Sequence, residues 1–395
     1  MSSPDYSKLL SPKVCALKKS GIRKFFDLLD RMEGVVGLTV GQLDFTTPWH
    51  IREAAETSID EGKTYYTSNA GLPRLRDAIA GYLDRRFGLR YTQSEIITTV
   101  GGSEAIDLAI RAIVSPGDEV IVPEPSFVCY KPLVIMAGGT PVTVTTRVED
   151  SFKLTPESLE AAITDRTKAL ILTFPNNPTG AIMTKEDLEG IARVLRDRDI
   201  AVISDEIYAE LTYGRRHESI ASLEGMRERT VIASGFSKAY AMTGWRLGYI
   251  AAPEPFIEQM LKIHQYVIMS ASTPSQYAGL EAALHGDADI DYMREQYNYR
   301  RRYIRKRLSD IGLESFEPEG AFYIYPYIGG FGLSSDDFCN RLLYENACAI
   351  IPGTAFGDAG EGFARLSYAY SVKHIDSALD RIGEFVDKLR KEKGL

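Results

Sequence analysis

Between residues 95 and 255, short β-rich runs alternate with amphipathic stretches of helical period, and this alternation constrains the fold more than any other feature. The strand-like runs are 96–100 (IITTV), 119–122 (EVIV), 169–174 (ALILTF), 200–204 (IAVIS), 230–233 (TVIA) and 247–251 (LGYIA). Between the first two, Ile106, Ala109, Ile110 and Ile113 recur at helical spacing. Thr184 can cap a helix running to about Asp197, with Asp187 as a shorter version of the capping-box acid. Strands separated by helices pair in parallel, so the pattern predicts an α/β fold: a mostly parallel sheet flanked by helices on both faces.

The carboxy-terminal part changes character. A long charged helix is predicted near 289–309, then the strand-like AFYIYP (321–326), a helix near 334–346 and a last one over 373–392. That reads as a smaller α+β domain. The amphipathic SGIRKFFDLL (20–29) reads as a helix with no sheet of its own nearby, so the amino-terminal arm is expected to pack with that domain. The expected divisions are 1–44 for the arm and part of the small domain, 45–285 for the large domain and 286–395 for the small carboxy-terminal domain.

Charge narrows the function classes. A net charge of −8 argues against a broad nucleic-acid surface, which needs clustered Lys and Arg facing phosphates. The basic run Arg300, Arg301, Arg302, Arg305, Lys306 and Arg307 suits the solvated faces of one long helix. Cys15, Cys129, Cys339 and Cys348 show neither C-x-x-C pairing nor zinc spacing, so no metal is expected. The opening MSSPDYSKLL lacks the pattern of a secretory signal, and no run approaches the roughly 18 apolar residues of a membrane span. The expected location is the cytoplasm.

Four segments carry chemistry. In FSKAYAMTGWRLGY (236–249), Lys238 follows Ser237 and precedes a Thr-Gly-Trp-Arg run that ends at Arg246. In ISDEIYAEL (203–211), Asp205 closes a β-branched strand, where open α/β folds bind ligands, and Tyr208 follows three residues later. FPNNPTG (174–180) places Asn177 in a turn after another strand, with an amide able to donate to an anionic oxygen. VGGSEAIDLAIRAI (100–113) sets Gly102 and Ser103 between a strand and a helix, where exposed N–H groups and the helix dipole suit a phosphate. The spacing matches neither a dinucleotide fingerprint nor a P-loop, so NAD and ATP are not its natural ligands.

Together these segments resemble the fold-type I pyridoxal-phosphate aminotransferases of class I and II, over nearly the whole chain. The resemblance implies that Lys238 carries pyridoxal 5′-phosphate as a Schiff base, Asp205 partners the ring nitrogen, and Tyr208 and Asn177 donate to the phenolate. Gly102, Ser103, Ser237 and Arg246 would hold the phosphate. Many relatives have serine where this chain has Gly235, which raises Ser234 as a substitute. By the same likeness Phe127 stacks on the pyridine, Arg365 in ARLSYAY clamps the substrate carboxylate, and Gly41 lies near that carboxylate. Tyr66 in YYTSNAGLPRLRDAI would reach a partner's cofactor phosphate, which implies a homodimer with shared sites.

The implied activity is amino transfer between an amino acid and a 2-oxo acid, with ping-pong kinetics. Rivals on the same scaffold are a C–S β-lyase and an aspartate or alanine aminotransferase; a regulatory nucleic-acid module would need a basic domain for which residues 1–40 are too short. SGIRKFFDLL, SDEIYAELTY, KIHQY, MREQY and GAFYIYP look most like N-acetyl-diaminopimelate and archaeal aromatic aminotransferases. The expected substrate is therefore long or bulky, used with 2-oxoglutarate. FYIYPY (322–327) and TYYTSN (64–69) could line its pocket, and Lys262 or Tyr266 could reach a distal polar group.

Overall fold

The structure is a computed structural model that describes residues 4–19, 21, 32–39, 41 and 43–394. Most of the predicted helix at 20–29 lies outside the described residues. After a two-residue strand β1 (Val36–Gly37) come helices α1 (Trp49–Asp60) and α2 (Pro73–Phe87). The alternating region then runs β2 (Ile96–Thr99), α3 (Gly102–Ile113), β3 (Glu119–Glu124), α4 (Tyr130–Ala137), β4 (Thr140–Thr145) and α5 (Pro156–Ala162). It continues through β5 (Thr167–Thr173), α6 (Lys185–Leu195), β6 (Ala201–Asp205), β7 (Thr230–Gly235), α7 (Phe236–Ala239) and β8 (Gly248–Ala251).

These strands form a seven-stranded sheet in the order β2-β8-β7-β6-β5-β3-β4. All pairings are parallel except those of β8, which runs antiparallel to both β2 and β7. The strand reading missed β4, and the reason is physical. It lies at the sheet edge with most residues at least partly exposed, so TPVTVT shows no continuous apolar run and tolerates Pro141. The central β7 is buried along its whole length, as a strand covered on both faces must be. On α3, Ile106, Ala109, Ile110 and Ile113 are all buried, and the helix packs on β6, β7 and β8. Thr184 caps α6 reciprocally: its hydroxyl accepts from the Asp187 N–H, while Asp187 Oδ2 accepts from the Thr184 N–H at 2.8 Å.

The chain then forms α8 (Glu254–Val267), α9 (Thr273–His285) and the long α10 (Asp287–Ile311). Beyond it lie β9 (Tyr323–Ile324), α11 (Ser335–Asn346), β10 (Cys348–Ala349), β11 (Ile351–Pro352), β12 (Ala364–Ser367) and α12 (Val372–Lys393). β11, β12 and β9 make an antiparallel sheet, and β10 pairs in parallel with β1 from the start of the chain. The basic run on α10 is less solvated than its composition suggests. Arg300 is buried against Asp44 at 2.7 Å, Arg301 pairs with Glu317 at 3.0 Å, and Arg307 pairs with Asp376 and Asp380. Among the described residues no helix is long and apolar enough to cross a membrane.

Candidate active site

Parallel strands that end at one edge bring their following loops together, and that edge holds a cavity of about 300 Å³. Gly102 and Ser103 start α3 after β2, Phe127 follows β3, Asn177 follows β5, Asp205 ends β6, and Ser237 and Lys238 sit on α7 after β7. Gly41, Tyr208, Arg246 and Arg365 complete the set of predicted residues on its wall. Residues far apart in sequence are thus gathered by topology rather than by local motif.

Asp205 is the register partner of Thr173 on the neighbouring strand. Its Oδ2 accepts a 2.6 Å hydrogen bond from Tyr130 Oη and its Oδ1 accepts from the Ile207 N–H at 3.1 Å. It forms no ion pair with any described residue, and burial pushes its carboxyl up to about 6 in spite of the Tyr130 and Ile207 bonds. A buried carboxylate in that state calls for a cationic partner.

The basic groups show the converse. Lys238 donates to the Gly41 carbonyl, and its Nζ stands 5.6 Å from the Phe322 ring centre and 6.0 Å from that of Tyr208. Burial, helped by Arg365 and Arg246, pushes the ammonium down to about 8, so the neutral, nucleophilic amine is accessible near neutral pH. Arg365 is only 2% exposed. Its Nη1 donates to Asn177 Oδ1 at 2.9 Å and its Nη2 to the Thr39 carbonyl at 2.5 Å, while the buried Nε has no partner. Tyr323 and Phe356 flank the guanidinium with ring centres 4.3 and 4.6 Å from Cζ. No carboxylate neutralises it among the described residues. Because a guanidinium only donates, it fixes the Asn177 amide oxygen toward itself, which leaves the NH₂ as the end that can serve the cavity.

Arg246 adopts a left-handed backbone, with φ at 52°, and donates from Nη1 to the Thr243 carbonyl at 3.0 Å. Gly101, with φ at 78°, packs beneath it; a Cβ there would stand 2.7 Å from Arg246 Nη2. The helix start at Gly102 and the Arg246 guanidinium therefore share one corner of the cavity.

A family model for the class I and II aminotransferases matches residues 33–382. The chain belongs to that family. It is similar to the probable N-acetyl-LL-diaminopimelate aminotransferase of Bacillus subtilis (strain 168), 46% identical over 97% of this chain and 97% of that protein. It is also similar to an aspartate aminotransferase of Pyrococcus abyssi, at 43% identity over 98% of this chain and 99% of that one. Among solved structures, the aromatic aminotransferase from Pyrococcus horikoshii OT3 superposes with a TM-score of 0.88 at 43% identity, covering 94% of this chain and 99% of that chain.

The aminotransferase is thus a pyridoxal-phosphate enzyme, and its cavity suits that cofactor. Among the described residues, Lys238, Arg246 and Arg365 bring three basic groups without an ion-pair partner to a wall whose one carboxylate is Asp205. A phosphate, an aldehyde, a protonated ring nitrogen and a substrate carboxylate are groups that such a wall can match.

Other predicted positions fall elsewhere. Tyr66 is 78% exposed and Tyr266 85% exposed, and neither lines the cavity; nor do Lys262, Tyr65, Tyr325 or Tyr327. Within FYIYPY the cavity is met by Tyr323, whose Oη lies 2.8 Å from Tyr208 Oη. Ser234 is also off the wall, with its hydroxyl donating to the Glu206 carbonyl at 3.1 Å. At Gly235 a Cβ would approach the Gly248 Cα to 2.8 Å and the Leu247 carbonyl to 3.0 Å, which explains why no serine stands there. The residue-by-residue reading missed Tyr130, Thr173, Ile106, Ile207 and Thr243 on the wall. Of these only Ile106 carries a signal in sequence, its helical spacing on the apolar face of α3, and that spacing marks it as core.

Proposed function

We propose that this aminotransferase takes the amino group from an L-amino acid with a long or bulky side chain, N-acetyl-LL-diaminopimelate or an aromatic amino acid, and passes it to 2-oxoglutarate in a ping-pong cycle. The observation that carries the reading is the buried Arg365, whose Nε has no partner and which has no carboxylate of its own among the described residues, opposite a lysine whose ammonium is pushed down to about 8. Pyridoxal phosphate bound there supplies an electron sink that acidifies the substrate Cα.

Each residue has a task in this scheme. Arg365 grips the α-carboxylate as a planar fork, aided by the backbone at Gly41. Asp205 keeps a proton on the ring nitrogen. Tyr208 and the Asn177 NH₂ donate to the phenolate oxygen, and Phe127 packs on the ring face and excludes water. Gly102, Ser103, Ser237 and Arg246 bind the phosphate. Lys238 would remove the Cα proton and return it, as general base and acid.

The substrate reading rests on the similarity to the diaminopimelate and aromatic enzymes and on charge. Arg246 and Arg365 are assigned to phosphate and α-carboxylate, so a second carboxylate held close, as in aspartate, would have to share one of them. Ile106, Phe127, Ile207 and Tyr323 make the remaining wall largely apolar. Tyr66, exposed beside the likewise exposed Tyr65, suits a homodimer in which it completes the partner's phosphate site. We assign the enzyme to the cytoplasm, where amino acids and 2-oxo acids meet. The test is kcat/KM for N-acetyl-LL-diaminopimelate, phenylalanine, aspartate and alanine with 2-oxoglutarate. A preference for aspartate or alanine over both larger substrates above about tenfold, roughly 1.4 kcal/mol, overturns the substrate reading.

A further inference from the structure

Tyr130 has no task in the scheme above, yet it touches the carboxylate at its centre. The side chain is 1% exposed, its Oη donates to Asp205 Oδ2 at 2.6 Å, and the same Oη lies 3.0 Å from Thr173 Oγ1. A phenol has one proton; beside a carboxylate at that distance it stays with Asp205, and the rotatable threonine hydroxyl completes the chain. The Tyr130 ring also meets Phe127 edge-on, with centres 6.0 Å apart and planes at 79°. The contacts join the ends of three neighbouring strands: Phe127 and Tyr130 follow β3, Thr173 ends β5 and Asp205 ends β6.

With the Ile207 N–H on Oδ1 and Tyr130 on Oδ2, each carboxylate oxygen holds one donor, so the group cannot rotate without breaking both bonds. We propose that Tyr130 is a positioning residue: its hydrogen bond keeps Asp205 oriented and ionised toward the ring nitrogen of pyridoxal phosphate, and so governs how tightly the apoprotein binds the cofactor near neutral pH. The proposal rests on the cofactor reading of the cavity.

The other titratable groups near Asp205 do not take over this role. Cys129 at the start of α4 is half-buried and Tyr208 buried, and desolvation raises both pKa values and holds both groups in their neutral forms. Glu206 is engaged by Ser204 Oγ at 2.8 Å, Ser219 Oγ at 2.6 Å and His217 Nε2 at 3.1 Å. Asp107 on α3 pairs with Arg111 at 2.8 Å, and Lys238 donates to Gly41. Removing the phenol strips a donor from a carboxylate that burial already pushes up to about 6, so protonation then competes with cofactor binding at a higher pH.

The experiment titrates pyridoxal phosphate into the apo forms of the wild type, Y130F, D205N and Y130F/D205N across pH, with bound cofactor read by absorbance. The cofactor's own ionisations are common to all four. For Y130F the affinity profile moves alkaline by about one pH unit, so Kd weakens about threefold near pH 6.5 and close to tenfold near pH 5, and approaches the wild-type value near pH 9. In the D205N background, where nothing titrates at that position, Y130F adds less than about twofold. Equal affinities at all these pH values, a loss of the same size at every pH, or the same loss in the D205N background would each overturn the proposal. If wild-type apoprotein binds no pyridoxal phosphate, the cofactor reading itself fails. Should Y130F not fold, Thr173→Val withdraws the phenol's second partner and is expected to shift the profile in the same direction, about two- to threefold in Kd near pH 5; an unmoved profile counts against the role.

Discussion

Replacing Arg365 with lysine changes the carboxylate grip while keeping a positive charge, and the structure sets the size of the effect. The guanidinium has five N–H donors. Among the described residues, one goes to Asn177 Oδ1 at 2.9 Å and one to the Thr39 carbonyl at 2.5 Å, which leaves three, including the Nε, for an incoming carboxylate. An ammonium has three donors; if it meets the same two buried oxygens, one remains. The substrate then loses one charge-assisted hydrogen bond of a bidentate pair, worth about 1.5–3 kcal/mol, or about 10- to 100-fold in kcat/KM. Because the α-carboxylate is common to all amino acids, the loss should be equal across donors and appear mainly in KM. The assay is the steady-state overall reaction with 2-oxoglutarate as acceptor and three donors of different side chain, next to a thermal midpoint that checks folding. An unchanged KM, or a loss confined to one donor, would refute the assignment of Arg365 to the carboxylate.

Further outcomes follow from other contacts. His50 bridges Glu281 at 2.8 Å and Asp289 at 3.0 Å; burial opposes its charging, but the two carboxylates prevail and raise its pKa above the ordinary histidine value. Its contribution is therefore full below about pH 6.5, the unfolded value, and is lost as pH rises through the folded one. His50→Gln should cost about 1 kcal/mol near pH 6 and close to nothing near pH 9 in urea unfolding, and a pH-independent difference contradicts this. Gly235→Ser drives a Cβ to within 2.8 Å of the Gly248 backbone, so it should lower stability by about 1–3 kcal/mol without tightening cofactor binding. Improved affinity for pyridoxal phosphate in that variant would show that the backbone gives way.

What sequence could reveal follows from how each feature is encoded. Asp205, Lys238 and Gly102 were legible because a β-branched or apolar run announces each strand, and the residue at its end is placed by the parallel topology. The capping of α6 by Thr184 was legible because it is local. Contacts made across the fold carry no such mark. Tyr130 and Asp205 are 75 positions apart, and Arg365 and Thr39 are 326 apart. β4 escaped because an edge strand need not be apolar, and AFYIYP overstated a strand that spans only Tyr323–Ile324. Arg365 looked costly to bury in sequence; the rings of Tyr323 and Phe356 that make its burial tolerable come from other segments.

The central claim is that one lysine carries the cofactor, and the most direct measurement is borohydride reduction of the protein with pyridoxal phosphate, followed by peptide mass mapping. The account predicts a single phosphopyridoxyl modification on the ε-nitrogen of Lys238, in the peptide that also contains Ser237, and its absence from Lys238→Ala. A stoichiometric modification on another lysine, or one that persists in Lys238→Ala, would contradict it.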